Sequence, residues 1–272
     1  MATIDQIVAG LRAVRERHPL VHNITNYVAM NSTANALLAL GASPVMAHAV
    51  EEVEDMAAAA GAVVLNIGTL SGPWIEAMYR AGRAARAKGV PVVLDPVGAG
   101  ATALRTETAL GLIRDVRPAV IRGNPSEILA LAGNGDARTR GVDSLHTVEQ
   151  ARDAARALAR EAQAVVAVTG PEDFVAGGGR SARIRCGHPL LARITTSGCM
   201  ATAVIAALCA VEPDPFAAAV AGLVVFGIAG EMAAADAPRP GSFHVRLINA
   251  LDEIDDSDLR RGARLDETLE PA

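Results

Sequence analysis

The chain has 272 residues, enough to bury a substantial core in one large α/β domain or two small ones. Its formal net charge is −5 and its arginines are spread along the chain, which argues against a nucleic-acid-binding surface. Lys88, the only lysine, is followed by Gly89, so the Gly-Lys-Ser/Thr motif of P-loop nucleotide-binding proteins is excluded.

The cysteines and the apolar segments predict a cytoplasmic protein with no membrane partner. Cys186, Cys199 and Cys209 form neither a CxxC pair nor an even disulfide framework, and the first residues carry no basic-then-apolar signal pattern. The longest uncharged apolar run, 216–230, is shorter than the roughly 20 residues that a bilayer requires, and glycines interrupt it. We therefore expect this run to be a buried core helix and the partners to be small molecules.

Short apolar runs alternate along the chain with longer Ala-rich stretches, a pattern typical of a parallel sheet covered by helices. The predicted strands are 19–23, 44–47, 62–67, 91–95, 118–122 and 164–168, with a β-ribbon from 174–176 and 182–186. The predicted helices are 4–17, 29–40, 50–60, 73–88, 106–116, 126–132 and 147–161, followed by helices only at 200–211, 216–235 and 243–254.

No long linker divides the chain, so a single domain over residues 1–272 is predicted. The nearest approach to a break is a Gly-rich polar loop at 132–144, which falls inside the sheet region. The last ~15 residues are rich in charge, and we expect them to fray.

Polar residues follow several of the predicted strands, where ligands of open parallel sheets collect. The motif DPVGAGAT, 95–102, places the Asp95 carboxylate at a strand end before a flexible Gly-containing loop, which suits an approach to phosphates or a hydrated metal. The alternative is an ordinary glycine turn in which Asp95 caps a helix. Thr169 and Gly170 follow a later strand.

A second group, RGNPSE at 122–127, combines a guanidinium, an amide and a carboxylate just before a predicted helix. Arg122 can grip phosphate oxygens bidentately, and Glu127 could hold Mg²⁺ through water. A helix start capped by Asn124 and Ser126, with Pro125 in its first turn, explains the same residues and is compatible with that role.

The segment TTSGCMATAVIAA, 195–207, leads a small polar turn into an apolar helix. The unpaired N–H groups and the dipole of a helix start attract anions, and they would lower the pKa of the Cys199 thiol and make it a candidate base or nucleophile. The alternative is that Cys199 is a small core residue beside an ordinary helix cap.

Taken together, the order of these groups predicts phosphoryl transfer from a nucleotide. A strand-end carboxylate with glycines comes first, then Arg, Asn and Glu, then Thr-Gly, and finally an anion hole at a helix start. Catalysis of phosphoryl transfer consists mostly of positioning and charge neutralisation, which such groups supply. The sequence contains no GxGxxG, HExxH or GxSxG motif.

The sequence resembles the hydroxyethylthiazole kinase family of the ribokinase-like superfamily over nearly its whole length. The residues that carry the resemblance are 21–56, 65–70, 94–102, 121–131, Val168–Thr169–Gly170 and the 195–200 turn. The resemblance implies a three-layer α/β/α fold with a mostly parallel sheet and Mg²⁺·ATP as phosphoryl donor. It also implies 4-methyl-5-(2-hydroxyethyl)thiazole as acceptor and a homotrimer with active sites between subunits.

The resemblance also assigns roles to single residues of this chain. Met46 is expected to contact the thiazole, with Asn23, Thr25 and Thr196 also on the substrate side. Asp95 and Glu127 are expected to organise Mg²⁺ through water. The remaining assignments are Arg122, Asn124, Thr169 and Gly170 as ATP contacts, and Ser197, Gly198, Cys199 and Arg122 as the catalytic group.

One residue departs from the family pattern, which usually reads Thr-Gly-x-Gly-Cys. Thr196 occupies the position of the first glycine. Either the backbone there does not need a positive φ, or the pocket is reshaped by the extra Cβ and hydroxyl.

Other functions stay open at this point. A sister kinase acting on a pyrimidine or pyridoxal alcohol would share the nucleotide half and differ around residues 23–46. A non-catalytic nucleotide- or thiazole-binding regulator would bind ligand without releasing ADP. A cysteine hydrolase would need a histidine partner for Cys199, and the sequence assigns none.

Overall fold

The computed structural model describes residues 3–133 and 148–269, whose strands form one mixed sheet. These strands are β1 (Leu20–Ile24), β2 (Ser43–Val45), β3 (Ala62–Asn66), β4 (Val92–Asp95), β5 (Val120–Gly123), β6 (Val165–Val168), β7 (Asp173–Gly177), β8 (Arg180–Ile184) and β9 (Leu265–Leu269). Across the sheet the order is β2-β1-β3-β4-β5-β6-β7-β8-β9. The pairs from β2 to β6 are parallel and those from β6 to β9 antiparallel.

Helices cover both faces of the sheet. They are α1 (Ile4–Arg17), α2 (Met30–Leu40), α3 (Val53–Ala59), α4 (Gly72–Ala87), α5 (Ala103–Val116), α6 (Pro125–Leu131), α7 (Val148–Ala162), α8 (Ser197–Cys209), α9 (Pro215–Asp236), α10 (Pro240–Glu253) and α11 (Asp256–Gly262). A short 3-10 helix spans Pro189–Arg193. One core packs α1, α2 and α8 to α11 against the sheet, and a second core packs α3 to α7 against the other face. The expected three-layer α/β/α fold is confirmed.

Several helices begin where side chains satisfy the free N–H groups of the first turn. Thr3, Ser71 and Thr102 each accept a hydrogen bond from the backbone N–H three residues later. Pro73 adds a fixed φ to the first turn of α4. These local signals are why the predicted helix positions agree well with the structure.

Helix α9 is long and apolar enough to cross a membrane by length and composition, yet 89% of its most apolar window is buried inside the protein. It packs between α8, α10 and the sheet in the first core. The expectation of a buried core helix is therefore confirmed.

Two expectations about the ends of elements need correction. Leu265–Leu269 does not fray: it forms β9 and pairs antiparallel with β8 along its whole length. Helix α8 begins at Ser197, three residues before the predicted start. The expected loop at 132–144 falls largely within residues 134–147, outside the described part of the chain.

Candidate active site

The carboxyl ends of the parallel strands bring many of the predicted site residues to one edge of the sheet. Register places Asn66 beside Asp95 and Gly123 beside Val168. The residues at or just beyond the strand ends are Met46 after β2, Asn23 and Thr25 at β1, Asp95 at β4, Arg122 and Asn124 at β5, and Thr169 and Gly170 at β6.

Arg122 lies at the centre of a polar cluster at this edge. Its guanidinium donates to Thr169 Oγ1, and its Nη1 lies 3.7 Å from Asp95 Oδ1. The start of α8 is also close, because a Cβ added to Gly198 would collide with the Arg122 guanidinium. Glycine at this position leaves room for the guanidinium, which a Cβ would displace. The Arg122 guanidinium thus lies among three strand ends and one helix start, and its side chain is largely buried.

Asp95 is fully buried and is held through one carboxylate oxygen. Its Oδ2 accepts hydrogen bonds from Asn66 Nδ2 at 2.8 Å and Thr202 Oγ1 at 2.9 Å, whereas Oδ1 has no hydrogen-bond partner. Burial raises the pKa of the Asp95 carboxyl, and the charge of Arg122 and the two hydrogen bonds oppose that rise. The alternative that Asp95 caps a helix is wrong, because Thr102 caps α5.

Glu127 joins the loop after β4 to the start of α6. Its Oε1 accepts from the Gly98 N–H and its Oε2 from the Asn124 N–H, both at 2.8 Å. Asn124 in turn accepts from the Glu127 N–H, and Pro125 stands in the first turn, so the expected helix start capped by Asn124 is confirmed. Ser126 lies inside α6 and is not its N-cap. Burial and then the charge of Asp95 raise the pKa of Glu127 to about 7.

Gly98 adopts a φ of +75° within this loop, which favours glycine. Its N–H therefore reaches Glu127 while the loop turns back toward the β4 end. Arg105 joins this loop to the one after β3 by donating to the carbonyl oxygens of Val97 and Gly68. The glycine-containing loop is thus held rigidly beside Asp95.

Helix α8 begins without a side-chain cap. Thr196 at its N-cap has a φ of +68°, and its Oγ1 is buried without a hydrogen-bond partner. The alternative that this position does not need a positive φ is wrong. The first N–H groups of a helix have no intrahelical acceptor, so those of Ser197, Gly198 and Cys199 stand uncapped at the start of α8, next to Arg122.

The Cys199 thiol is not activated by this helix start. Burial and then the charge of Asp95 raise its pKa to about 12, so the thiol is protonated at neutral pH. Its Sγ accepts from Asn66 Nδ2 at 3.2 Å and from Asn26 Nδ2 at 3.4 Å. The expectation that the helix dipole lowers this pKa is therefore wrong, because desolvation outweighs the dipole.

The expected substrate-side residues lie on the neighbouring strands β1 and β2. Asn23 and Thr25 are buried and Met46 is half-buried. Asn23 donates through Nδ2 to the Val21 carbonyl oxygen, and its Oδ1 is buried without a partner. In the described parts of the chain no hydrogen bond joins these three residues to the Arg122 cluster. They share its edge of the sheet but not its contacts.

Gly170 follows Thr169 at the end of β6. Its N–H donates to Asp173 Oδ1 at 2.9 Å, so this donor is engaged within the protein. Desolvation raises the pKa of Asp173 to about 7, with Arg122 opposing the rise. Thr169 presents its hydroxyl to Arg122, and Gly170 shapes the turn behind it.

Three polar residues of the cluster were missed as site residues by the sequence prediction: Asn26, Asn66 and Thr202. The two asparagines stand at strand ends, as Asp95 does, and that position is the signal that could have identified them. Thr202 lies one turn after Gly198 on α8, and its hydroxyl contacts both Asp95 Oδ2 and the Gly198 carbonyl oxygen. Helical spacing from the glycine would have indicated it.

Comparison with known proteins assigns the chain to a family. The model of the hydroxyethylthiazole kinase family matches residues 11–257. The chain belongs to the hydroxyethylthiazole kinase family. A protein of that name from Oleidesulfovibrio alaskensis is 54% identical over 256 residues, covering 94% of this chain and 96% of that protein.

Solved structures agree with this assignment. The hydroxyethylthiazole kinase protein of Pyrococcus horikoshii is 47% identical, with a TM-score of 0.90 over 97% of this chain and 99% of that one. The pyridoxal kinase of Staphylococcus aureus, solved in complex with pyridoxal, has a TM-score of 0.62 and 17% identity, over 92% and 98% of the two chains. The latter likeness shows a shared fold alone.

Proposed function

We propose that this chain transfers the γ-phosphoryl group of ATP to the hydroxyl of 4-methyl-5-(2-hydroxyethyl)thiazole, as a single domain acting in thiamine salvage. The observation that carries the proposal is the position of Arg122, which lies against the glycine at the uncapped start of α8 and beside Asp95. A guanidinium and free N–H groups that converge on one point suit a phosphoryl group in transfer.

The nucleotide is bound on the β5 and β6 side of the sheet edge in this proposal. Arg122 and Thr169 contact phosphate oxygens, while Asn124 and Gly170 shape the loops beside them. The guanidinium is already held by Thr169 and Asp95, so the Arg122 side chain loses little conformational entropy when phosphate binds.

The residues present fit a magnesium ion held by few protein ligands. Asp95 Oδ1 is a buried carboxylate oxygen without a hydrogen bond, whereas both oxygens of Glu127 already accept backbone N–H groups. No cluster of three or more His, Cys, Asp or Glu occurs in residues 3–133 and 148–269. Mg²⁺ commonly uses one or two carboxylates with phosphates and waters. Asp95 would hold it with Glu127 acting through water, and the ion would neutralise phosphate charge.

The acceptor alcohol is bound on the β1 and β2 side. Met46 offers an apolar, polarizable surface to the flat ring, and Asn23, Thr25 and Thr196 complete this side. Cys199 acts as a spacer in this proposal because its thiol is protonated at neutral pH. A loose transition state demands little activation of the attacking hydroxyl, so positioning by Arg122 and the α8 start dominates.

The family resemblance supports the assembly, and the cysteine pattern of the sequence supports the compartment. The proposal includes a homotrimer with sites between subunits and a cytoplasmic location. Sedimentation analysis of the purified chain tests the trimer directly: a monomer at micromolar concentration would contradict it.

An acceptor panel tests the activity. The purified chain is incubated with Mg²⁺·ATP and, separately, the thiazole alcohol, a hydroxymethylpyrimidine and pyridoxal, and ADP release is followed. We expect rapid release with the thiazole and at most slow release with the other two. Faster release with pyridoxal or the pyrimidine would assign the chain to a sister kinase. Tight thiazole binding with no ADP release would indicate a regulator, and neither outcome agrees with the proposal.

A further inference from the structure

Asp95 is gripped on one side only. Its Oδ2 accepts two hydrogen bonds, from Asn66 on β3 and from Thr202 on α8, and its Oδ1 accepts none. A carboxylate oxygen has two lone pairs, so Oδ2 is saturated. The other oxygen is left facing Arg122 Nη1 at 3.7 Å.

The orientation of the Asn66 carboxamide is fixed by its surroundings. Its Oδ1 accepts the Gly68 N–H at 3.0 Å and Asn26 Nδ2 at 2.9 Å. Because these partners are donors, the opposite group must be the NH₂, which faces Asp95 and Cys199. Gly68 also leaves the space that Asn26 fills, since a Cβ there would stand 2.7 Å from Asn26 Nδ2.

Thr202 approaches Asp95 from helix α8, which packs on β3 and β4. It is fully buried on α8, and its hydroxyl lies 2.9 Å from Asp95 Oδ2 and 3.1 Å from the Gly198 carbonyl oxygen. The same helix supplies the N–H groups near Arg122. The carboxylate and the anion-binding helix start are therefore held in one fixed relation by this side chain.

We propose that Asn66 and Thr202 are positioning residues that hold Asp95 by Oδ2, so that Oδ1 alone is presented to the magnesium nucleotide. The inference rests on the proposed function and names two residues that it does not require. Neither side chain has to touch the nucleotide. Both act by removing the freedom of the Asp95 carboxyl to rotate about its Cβ–Cγ bond, and hydrogen bonds to charged groups are strong enough to do so.

The test uses substitutions that delete or keep one hydroxyl. Thr202→Val preserves shape and removes the donor, whereas Thr202→Ser keeps it. The matched control is Thr33→Val on α2, because Thr33 is also a buried helical threonine but its Oγ1 has no hydrogen-bond partner. Calorimetry measures ADP binding with Mg²⁺ and with EDTA, and steady-state assays measure the Mg²⁺ concentration that gives half-maximal turnover.

We expect Thr202→Val to weaken ADP binding about tenfold in Mg²⁺ and to leave it unchanged in EDTA. The half-maximal Mg²⁺ concentration should rise by a similar factor, while Thr202→Ser and Thr33→Val stay within about threefold of the wild type. Asn66→Ala should repeat the Thr202→Val result from the other side of the carboxylate, so a folding failure of either variant leaves the other decisive.

Equal losses with Mg²⁺ and with EDTA would overturn the proposal, because they would indicate general damage to the nucleotide site. Wild-type affinity in Thr202→Val, or no effect of Mg²⁺ on ADP binding by the wild type, would also overturn it. The proposed function fails differently: the wild type would then bind Mg²⁺·ADP normally but transfer no phosphoryl group to the thiazole alcohol.

Discussion

Thr196 shows at the scale of one residue how a candidate site departs from ordinary protein structure. It is β-branched, yet it adopts a φ of +68°, and its buried hydroxyl has no partner. Such a left-handed conformation costs an L-residue roughly 1–2 kcal/mol, and an unpaired buried hydroxyl costs more. The family pattern has glycine here, so this chain keeps a backbone conformation that suits glycine better than threonine.

We predict that Thr196→Gly raises the free energy of unfolding by about 1 kcal/mol, since the released strain exceeds the added flexibility of the unfolded chain. Urea unfolding measures this change. Thr195→Gly is the matched control, because Thr195 lies next door without a positive φ, and it should be neutral or destabilising. A Thr196→Gly variant less stable than the wild type would show that the threonine is not strained.

The pKa of the Cys199 thiol could not be predicted from the sequence, because a local motif does not show how deeply a residue is buried. A thiol at a helix start is usually activated, but here two carboxamides and the Asp95 charge surround it in a water-poor site. A general base contributes about 10²- to 10⁴-fold to turnover, which a protonated thiol cannot supply.

We therefore expect Cys199→Ala to lower kcat less than about tenfold with ATP affinity unchanged. Cys209→Ala, at the other end of the same helix, is the control for loss of a buried thiol. Complete loss of turnover in Cys199→Ala with intact ATP binding would contradict the spacer role. Turnover of Cys199→Asp at or above the wild-type rate would instead support an aspartate-like base at this position.

Asp173 makes the free energy of unfolding depend on pH. Its carboxyl pKa is raised from 3.8 to about 7, so between these values the folded protein keeps a proton that the unfolded chain has released. The free energy of unfolding must therefore fall as the pH rises through this window, by at most about 1.4 kcal/mol per pH unit.

Asp173→Asn keeps the acceptor for the Gly170 N–H and removes the titration. We predict that its stability relative to the wild type increases by more than about 1 kcal/mol between pH 4 and pH 8. Urea unfolding across this range measures the change, with the exposed Asp153→Asn as control. A constant difference at all pH values would show that Asp173 titrates normally.

At the scale of elements, the start of α8 is the helix end that local sequence signals predicted least well. Local signals placed most helices and strands correctly, because capping residues, prolines and apolar runs act over a few residues. They placed α8 three residues late, since its N-cap is unusual and its first turn is uncapped. The contacts of Thr202 and Asn66 with Asp95 were not predictable, because they depend on how α8 packs beneath β3 and β4.

Gly198→Ala tests the role of this helix start. The added Cβ would collide with Arg122 Nη1, and the guanidinium end can move away at little cost to folding. We expect a loss of about a hundredfold in kcat/KM for ATP, as for removal of an oxyanion donor, with stability nearly unchanged. Gly72→Ala at the start of α4 is the control because it has open space. Wild-type kcat/KM in Gly198→Ala would show that turnover does not depend on the close approach of Arg122 to the start of α8.

At the scale of the whole molecule, the alternation of strands and helices was enough to predict a layered α/β fold. It did not reveal β9, because a charged segment gains its order only from β8, which lies far away in the sequence. The site was predicted where strand ends carry polar residues, and Arg122, Asp95, Thr169 and Gly198 do converge there. Burial and cross-layer contacts were beyond the reach of sequence patterns.

The most direct test of the central claim is the product formed by the purified chain from Mg²⁺·ATP and 4-methyl-5-(2-hydroxyethyl)thiazole. Phosphorus NMR and mass spectrometry identify and count the products. We predict the monophosphate ester of the thiazole and ADP in equal amounts. ATP left intact, or ADP formed with free phosphate in place of the ester, would contradict the assignment of this site to phosphorylation of the thiazole alcohol.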